Sequence, residues 1–349
     1  MSMSIEGKSI GPGEKCFLIA EVSANHDGDL DQALELVDIA ADVGWDCVKF
    51  QTYSADSLTV PSRHASMRID PIWGTDNLYN LYTNAAMPMD FHAPLFQRVR
   101  EQGMLPFTSI YDPRDLDFIE GLGCAFYKIA SFEMTFDDLL IAVASTKKPV
   151  VMSTGMSDLA EVEHALEVLD RAGSGPIILL HCVSSYPTPP DEANLLAMKT
   201  LEARFGRPVG FSDHTVGAVV PLAAAALGAV AIEKHFTNDP ARKGPDHRFS
   251  APPDVMRDIA DGATMIHAAR GTGEKVAAKA EVGNRNSFRR SAFAMRDIAV
   301  GEVLNPEDYR FVRPNAGVPV SDKAALEHRT IARAIRQYDP INYDDLVRR

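Results

Sequence analysis

Short apolar runs alternate with helix-forming segments eight times along this 349-residue chain. Each run has the length of a buried β-strand, and the segments between the runs place apolar residues on one helix face. In Leu159–Ala172, for example, Val162 and Leu166 are one turn apart. Strand–helix repeats produce parallel strands, and eight of them predict a (β/α)8 TIM barrel of the α/β class. The predicted strands are Cys16–Ser23, Cys47–Thr52, Leu105–Ile110, Ala125–Ser131, Pro149–Thr154, Ile177–Val183, Val209–Ser212 and Ala229–Phe236.

A doubly wound open sheet is the alternative architecture for such a repeat. That fold binds nucleotide phosphates with a Gly-x-Gly-x-x-Gly loop after a strand, and no predicted strand here is followed by one. The barrel is therefore favoured. The predicted helices include Asp29–Asp42, Arg114–Leu122, Leu159–Ala172, Asn194–Phe205, Val219–Leu227 and Pro253–Arg270.

Two segments depart from the repeat. The connection Tyr53–Phe91 is too long for one helix and is rich in aromatic and methionine residues. A long insertion at that end of a barrel usually forms a wall or lid of the substrate site. After the last helix, residues 276–290 are polar and are expected to be a linker. We therefore expect a catalytic barrel over residues 1–275 and a small domain with little helix over residues 291–349.

Charge and cysteine usage exclude several classes of protein. A net charge of -13 argues against a nucleic-acid or anionic-membrane partner. No stretch has the apolar length of a membrane span, and the N-terminus lacks the pattern of a secretory signal. The four cysteines show no Cys-x-x-Cys spacing, which indicates reduced thiols in a cytoplasmic protein.

Polar side chains stand at the carboxyl ends of the predicted strands, where barrel enzymes place their chemistry. Lys49 and Lys128 are embedded in apolar runs, and because an unpaired buried ammonium is costly, they predict an anionic ligand. The alternative is that both are surface lysines. The other strand-end residues are Glu21, Gln51, Thr108, Ser109, Ser131, Ser153, His181, Ser184, Ser212, His214, Glu233 and His235.

Two of these strand ends point to a metal. In a strand, residues i and i+2 face the same side, so Ser212 projects with His214, and Glu233 projects with His235. On neighbouring strands, two imidazoles with a carboxylate nearby suit a divalent ion such as Mn²⁺ or Mg²⁺. A single histidine at a strand end is more often a capping or core residue, so the prediction depends on the pair.

Seven segments and the tail resemble the sialic acid synthase family. The segments are Ala20–His26, Lys49–Tyr53, Tyr127–Ser131, Ser153–Met156, Tyr186–Pro189, Phe211–Thr215 and Ile232–Phe236. The tail around Arg313-Pro314 is similar to that family's antifreeze-protein-like (SAF) domain. Within the family, Ser23–His26, Gln51–Tyr53 and the insertion are most similar to pseudaminic acid synthases. Gly244–His247 is instead more similar to the neuraminate and legionaminate branches.

The resemblance implies a metal-dependent condensation of phosphoenolpyruvate with the aldehyde of an N-acetylated amino sugar. The sugar would be 2,4-diacetamido-2,4,6-trideoxy-L-altrose, which gives pseudaminic acid and phosphate. N-acetylmannosamine or its 2,4-diacetamido-6-deoxy analogue, giving neuraminate or legionaminate, is the alternative. The residues implied to hold phosphoenolpyruvate are Lys49, Thr108, Lys128, Ser131, Ser153, Ser184 and Ser212.

The resemblance also implies the remaining roles. His214 and His235 would bind the metal, with Mn²⁺ expected first and Mg²⁺ or Co²⁺ also possible. Glu21 and Glu233 would transfer protons. The sugar would be held by Gln51, Tyr186, Asp246 and Arg313, the last reaching across a domain-swapped homodimer.

Two other readings of the same residues stay open. On the same barrel, Lys128 could be the nucleophile of a Schiff-base aldolase. The chain could also be a sugar-binding protein without catalysis, although the number of acids and donors at the strand ends argues against this.

Overall fold

A computed structural model of the chain describes residues 2–347. The chain forms two compact units, Met1–Gly271 and Thr272–Arg349, and each has a hydrophobic core of its own. The first unit opens with a two-stranded antiparallel sheet, β1 (Met3–Ile5) and β2 (Lys8–Ile10). It continues as a closed barrel of eight parallel strands, which confirms the predicted TIM barrel.

Every barrel strand begins and ends within two residues of its predicted bounds. The strands are β3 (Phe17–Glu21), β4 (Cys47–Thr52), β5 (Leu105–Ile110), β6 (Tyr127–Ile129), β7 (Val150–Ser153), β8 (Ile177–Cys182), β9 (Val209–Asp213) and β10 (Ala231–His235). Strands β3 to β10 pair in chain order, and β10 closes the barrel against β3. All five residues of β3 are buried, as expected when one strand face fills the barrel and the other packs under helices.

Residues 2–347 contain eleven α-helices in addition to the strands. They are α1 (Leu30–Asp42), α2 (Ala55–Leu58), α3 (Leu78–Ala85), α4 (His92–Glu101), α5 (Leu116–Gly121), α6 (Asp137–Ser145), α7 (Leu159–Arg171), α8 (Ala197–Phe205), α9 (Val219–Ala226), α10 (Pro253–Arg270) and α11 (Val282–Phe288). The short helices α2 and α3 belong to the insertion after β4, and α4 completes that repeat. Among the described residues, no helix is long and apolar enough to span a membrane.

Helix α7 shows how the local sequence defines an element. The side chain of Asp158 accepts hydrogen bonds from the N–H groups of Ala160 (2.9 Å) and Glu161 (3.0 Å). The Glu161 carboxylate accepts one in return from the Asp158 N–H at 3.0 Å. This capping box satisfies N–H groups that the helix leaves free at its start. Val162 and Leu169 then bury the apolar face against the barrel.

The second unit is built from short elements. Strands β11 (Ser291–Ala294) and β12 (Tyr309–Val312) form a two-stranded antiparallel sheet, and the rest of the unit contains turns, short 3₁₀ segments and isolated antiparallel β-bridges. Helix α11 lies inside the segment predicted as a linker. There the carbonyl of Asn286 accepts a hydrogen bond from the N–H of Asn315 at 2.8 Å, so residues of that segment join the second unit.

Candidate active site

A pocket of about 420 Å³ lies at the carboxyl ends of the barrel strands. The chain brings twelve of the residues singled out from the sequence to its lining. They are Lys49, Gln51, Lys128, Ser131, Ser153, Ser184, Tyr186, Ser212, His214, Glu233, His235 and Asp246. Parallel strands present their carboxyl ends on one edge, so residues far apart in the chain converge here.

The ends of β9 and β10 carry the two histidines. The strands pair in register, with Glu233 opposite Ser212, and the Ser212 hydroxyl donates to the Glu233 carboxylate at 3.1 Å. The imidazole rings of His214 and His235 are 5.3 Å apart between centroids and meet at 63°. The ring of Tyr186 packs over His214 at 4.2 Å.

The donor set of the two rings fits a divalent ion. His214 Nδ1 lies 2.8 Å from the carbonyl oxygen of Val183, and a proton shared there leaves Nε2 free to bind a metal. His235 Nδ1 is buried and has no hydrogen-bond partner among the described residues. Within residues 2–347 no cluster of three or more His, Cys, Asp or Glu side chains could hold an ion. A metal at these two imidazoles would therefore need water and substrate oxygens as further ligands.

A buried chain of charges connects the pocket lining with Glu21. The ammonium of Lys49 is 2.6 Å from one Glu21 oxygen and 3.7 Å from Glu233. Glu21 itself is fully buried and does not line the pocket. It contacts the pocket through Lys49 and through Gln51, whose amide donates to Glu21 at 2.7 Å.

The pKa values of the two buried acids, Glu21 and Glu233, shift in opposite directions. Burial raises the pKa of Glu21 to about 7, although the nearby Lys49 ammonium acts in the opposite direction. Burial also opposes ionisation of Glu233, but Lys128 and Lys49 outweigh it and hold the pKa of Glu233 below its ordinary value. Burial lowers the pKa of Lys128, and Glu233 counteracts part of that effect. Near neutral pH Glu233 is therefore a carboxylate, while Glu21 can exist in both protonation states and exchange a proton.

Three serine hydroxyls form a cradle beside the lysines. Ser131 Oγ accepts a hydrogen bond from the N–H of Gly155 at 3.0 Å, and a Cβ at position 155 would lie 2.3 Å from Ser184 Oγ. Only glycine therefore allows the backbone this close to both hydroxyls. Ser153 Oγ is buried without a hydrogen-bond partner in the described part of the chain. Such a cradle, next to Lys128, suits a phosphate or carboxylate group.

The structure does not bring Thr108 to the pocket. Its hydroxyl lies 2.8 Å from that of Thr52, which in turn contacts the buried His92 at 2.8 Å. The next residue, Ser109, receives a hydrogen bond from the Lys49 ammonium at 3.1 Å. Because successive strand residues face opposite sides, only one of the pair can point inward, and it is Ser109. Ser109 is not part of the pocket lining either, and it contacts the pocket through Lys49.

Two of the predicted sugar-binding residues, Gln51 and Asp246, lie together beside Ser23, just after the end of β3. The carboxylate of Asp246 accepts hydrogen bonds from the Ser23 hydroxyl and, at 3.3 Å, from the Ala24 N–H. Burial raises the pKa of Asp246. Gln51 also lies 3.2 Å from the Ser23 hydroxyl, so Gln51, Ser23 and Asp246 form one polar edge.

The insertion supplies an apolar part of the pocket lining. We call these residues the insertion wall: Leu58, Trp73, Leu81, Tyr82 and Ala85. Helices α2 and α3 supply all of them except Trp73. Although the sequence predicted a wall in this insertion, it did not show which side chains face the pocket.

One acidic pocket residue was not identified from the sequence. Glu133 lines the pocket, burial raises its pKa to about 7, and its Oε2 atom has no partner among residues 2–347. It follows Ser131 by two residues, in a 3₁₀ turn just beyond β6. A carboxylate two residues past a predicted ligand-binding serine is the signal that could have identified it.

Arg313 lies in the second unit rather than in the barrel. Its side chain is exposed, and the guanidinium stands over the ring of Phe288 at 5.8 Å. The contact between Arg313 and the sugar stays a prediction.

Comparison with known proteins agrees with this arrangement. The chain is 34% identical over 332 residues to the pseudaminic acid synthase of Helicobacter pylori, covering 95% of this chain and 98% of that protein. It is 37% identical over 322 residues to the N,N'-diacetyllegionaminic acid synthase of Legionella pneumophila, covering 90% of each. The N-acetylneuraminic acid synthetase of Leptospira borgpetersenii, solved in complex with citrate, matches with a TM-score of 0.73 and 32% identity, covering 81% of this chain and 95% of that chain.

Family models divide the chain much as its two compact units do. The model of the NeuB family matches residues 36–275, and the model of the SAF domain matches residues 289–347. The first match alone covers more than half of the chain and includes the strands that carry the two lysines and the two histidines. The chain therefore belongs to the NeuB family and ends in a SAF domain.

Proposed function

We propose that the protein condenses phosphoenolpyruvate with the open-chain aldehyde of an N-acetylated amino sugar. A new C–C bond joins phosphoenolpyruvate C3 to the aldehyde carbon, water adds to C2, and phosphate leaves as the C–O bond breaks. The products are a nonulosonic acid and inorganic phosphate. The observation that carries the proposal is one pocket in which two buried lysines and a serine cradle face two imidazoles.

Phosphoenolpyruvate has a phosphate and a carboxylate, and the pocket offers donors for both. Lys49 and Lys128 supply positive charge, and Ser131, Ser153 and Ser184 supply hydroxyls. Ser212, already bonded to Glu233, completes this side, and Ser109 takes the place first assigned to Thr108. The unpaired Ser153 hydroxyl is available to donate to such a ligand.

The sugar aldehyde is assigned to the side of the pocket with the two imidazoles. His214 and His235 would hold a divalent ion, with Mn²⁺ as our first choice and Mg²⁺ or Co²⁺ as alternatives. When bound, the ion supplies Lewis-acid polarisation of the aldehyde oxygen. Gln51, Tyr186 and Asp246 line the same pocket, and we assign them the role of orienting the sugar chain.

Proton transfer is assigned to two carboxyl groups. Glu21 has a pKa of about 7, so it can accept or donate a proton at neutral pH through its contacts with Lys49 and Gln51. Glu233 stays ionised and faces the pocket, where it can orient the attacking water.

For the sugar we propose 2,4-diacetamido-2,4,6-trideoxy-L-altrose, which would give pseudaminic acid. Support comes from the likeness of Ser23–His26 and Gln51–Tyr53 to pseudaminic acid synthases. The apolar insertion wall also suits a C6 methyl group better than a hydroxymethyl group. Relatives with pseudaminic, legionaminic and neuraminic products match at comparable identity, so the test must compare all three sugars.

A phosphate-release assay tests the proposal directly. The full chain with Mn²⁺ and phosphoenolpyruvate is given, in turn, the altrose derivative, its legionaminate-type analogue and N-acetylmannosamine. We expect the highest kcat/KM with the altrose derivative. A higher value with another sugar would overturn the sugar assignment, and no phosphate release with any of them would overturn the reaction. Borohydride should trap no pyruvate adduct on Lys128, whereas a Schiff-base aldolase would form one.

We further propose a cytoplasmic homodimer in which Arg313 of one subunit completes the other subunit's site. Mixing Arg313→Ala chains with Glu21→Ala chains tests this arrangement, because one of the two sites in a heterodimer would then contain no substitution. Verified heterodimers should recover up to half of the wild-type activity. Activity no higher than that of either parental variant would contradict a shared site.

A further inference from the structure

We propose that a buried ion pair between Asp213 and Lys234 positions the two imidazoles before any metal binds. Along β9, Asp213 stands between Ser212 and His214, and along β10, Lys234 stands between Glu233 and His235. Alternation turns this pair to the outer face of the barrel while the pocket residues face inward. The strand register sets the two directly opposite each other.

The contacts of the pair enclose His214. The Lys234 ammonium donates to Asp213 Oδ2 at 2.5 Å and to the carbonyl of Thr215 at 2.7 Å. The other Asp213 oxygen accepts the Thr215 N–H at 2.9 Å and the Thr215 hydroxyl at 2.8 Å. The residues on both sides of His214 are thus tied to one ammonium on β10, the strand that ends with His235.

The ion pair differs from the polar groups in the pocket because both carboxylate oxygens of Asp213 have hydrogen-bond partners. Asp213 is 1% exposed and Lys234 is 2% exposed, and every oxygen of the carboxylate has a partner. In contrast, Glu233 Oε2 and His235 Nδ1 have no hydrogen-bond partner among the described residues. The atoms without partners lie on pocket residues, whereas the contacts of the Asp213–Lys234 pair are made within the protein.

Geometry, rather than stability, explains why charges occupy this position. A buried ion pair costs desolvation, and two apolar residues of similar volume often give equal stability. A salt bridge, however, fixes the distance and direction between its partners, which apolar packing does not. Here it fixes the ends of β9 and β10, and with them the 5.3 Å separation of the two rings. Asp213 and Lys234 are therefore positioning residues.

A variant that lacks both charges of the ion pair tests the positioning of the imidazoles separately from protein stability. The Asp213→Leu/Lys234→Met double variant should unfold near the wild-type temperature, while each single variant leaves one buried charge unpaired and unfolds at a lower temperature. Calorimetric titration with Mn²⁺ should give a dissociation constant roughly 10- to 100-fold higher for the double variant, the range typical of lost outer-shell support. An unchanged dissociation constant would overturn the proposal.

A milder variant keeps the test valid if the double variant does not fold. Thr215→Val removes one hydrogen bond to Asp213 and should raise the Mn²⁺ dissociation constant a few-fold. The matched control is Lys148→Met, which breaks the ion pair with Glu120 (2.7 Å) elsewhere in the barrel and should leave the constant unchanged. Equal effects of the two substitutions would count against a specific role.

The inference rests on the proposed metal site, so one readout must be free of metal. Crystal structures of the metal-free wild type and of the double variant, or of Thr215→Val, provide it. We expect the rings of His214 and His235 to be displaced or disordered in the variant only. Unmoved rings would refute positioning even if Mn²⁺ binds, whereas wild-type protein that binds no Mn²⁺ would refute the metal site alone.

Discussion

The two sides of the pocket differ in how the chain builds them. The strand side uses residues fixed on neighbouring barrel strands, with buried charges such as Lys49 and Glu233 only 3.7 Å apart. The insertion wall comes mainly from the short helices α2 and α3 and presents apolar side chains such as Leu81. Rigid strands suit the charge placement that a reaction needs, whereas an inserted segment can vary without disturbing it.

The difference suggests a division of function, in which the strand side carries out the reaction and the insertion wall selects the sugar. Buried charges and unsatisfied polar atoms lie on the strand side, so changes there should affect turnover with every sugar. The insertion wall offers contact area and shape, so changes there should affect the choice between sugars. This division would be wrong if a substitution in the insertion wall greatly lowered turnover with every sugar. It would also be wrong if a substitution on the strand side changed only the sugar preference.

The largest effect is expected from the two histidines. His214→Ala or His235→Ala should lower kcat at least about 10³-fold with every sugar, because Lewis-acid stabilisation is worth several kcal/mol. Calorimetry should show loss of tight Mn²⁺ binding, and circular dichroism should show an intact barrel. A control, His164→Ala, removes an exposed histidine that contacts Asp137 and should retain full activity. Full turnover of a His214 variant in the presence of chelator would contradict the metal assignment.

Glu21 should control the pH dependence of turnover. Its pKa of about 7 means that the carboxylate form increases as pH rises from 6 to 8, so a base role predicts kcat rising over that interval. Glu21→Gln should remove this limb of the pH profile and lower kcat about 10²- to 10⁴-fold, the usual contribution of general acid–base catalysis. A Glu21→Gln variant that keeps the wild-type pH profile would show that another group titrates.

The insertion wall should set the preference for a 6-deoxy sugar. Leu81→Asn places a polar group on the wall and should reduce the ratio of kcat/KM for 6-deoxy over 6-hydroxy sugars about 10-fold, within the range that apolar pockets achieve. Leu78→Asn, on the same helix but outside the pocket lining, is the matched control. If both variants shift the ratio equally, the pocket contact is not the cause.

The smallest effect distinguishes two neighbouring hydroxyls. Ser109→Ala removes a hydrogen bond from Lys49 and should raise the KM for phosphoenolpyruvate a few-fold to about 10-fold, as expected for one hydrogen bond. Thr108→Val should leave that KM unchanged, because its hydroxyl contacts Thr52 outside the pocket. The reverse result would restore Thr108 as the ligand-binding residue.

Much of the candidate site could be predicted because, in a parallel barrel, the carboxyl ends of all strands lie at the same end. Once Lys49 and His235 are known to stand near strand ends, the parallel arrangement places them in one pocket without further information. The sequence does not show which of two successive strand residues faces the inside of the barrel. Thr108 and Ser109 are both plausible ligand-binding residues until the pairing of β5 with β4 assigns each to a face. Glu133 was missed because it lies in a turn beyond the strand.

The positions of the eight strands, and most of the polar residues at their ends, could be identified from the sequence, since apolar periodicity is a local property. Only the tertiary structure decided which hydroxyls face inward, how closely Gly155 approaches Ser184, and that Asp213 meets Lys234. These are contacts between residues far apart in the chain, and they exist only once barrel closure brings neighbouring strands into register. Periodicity alone therefore cannot specify them.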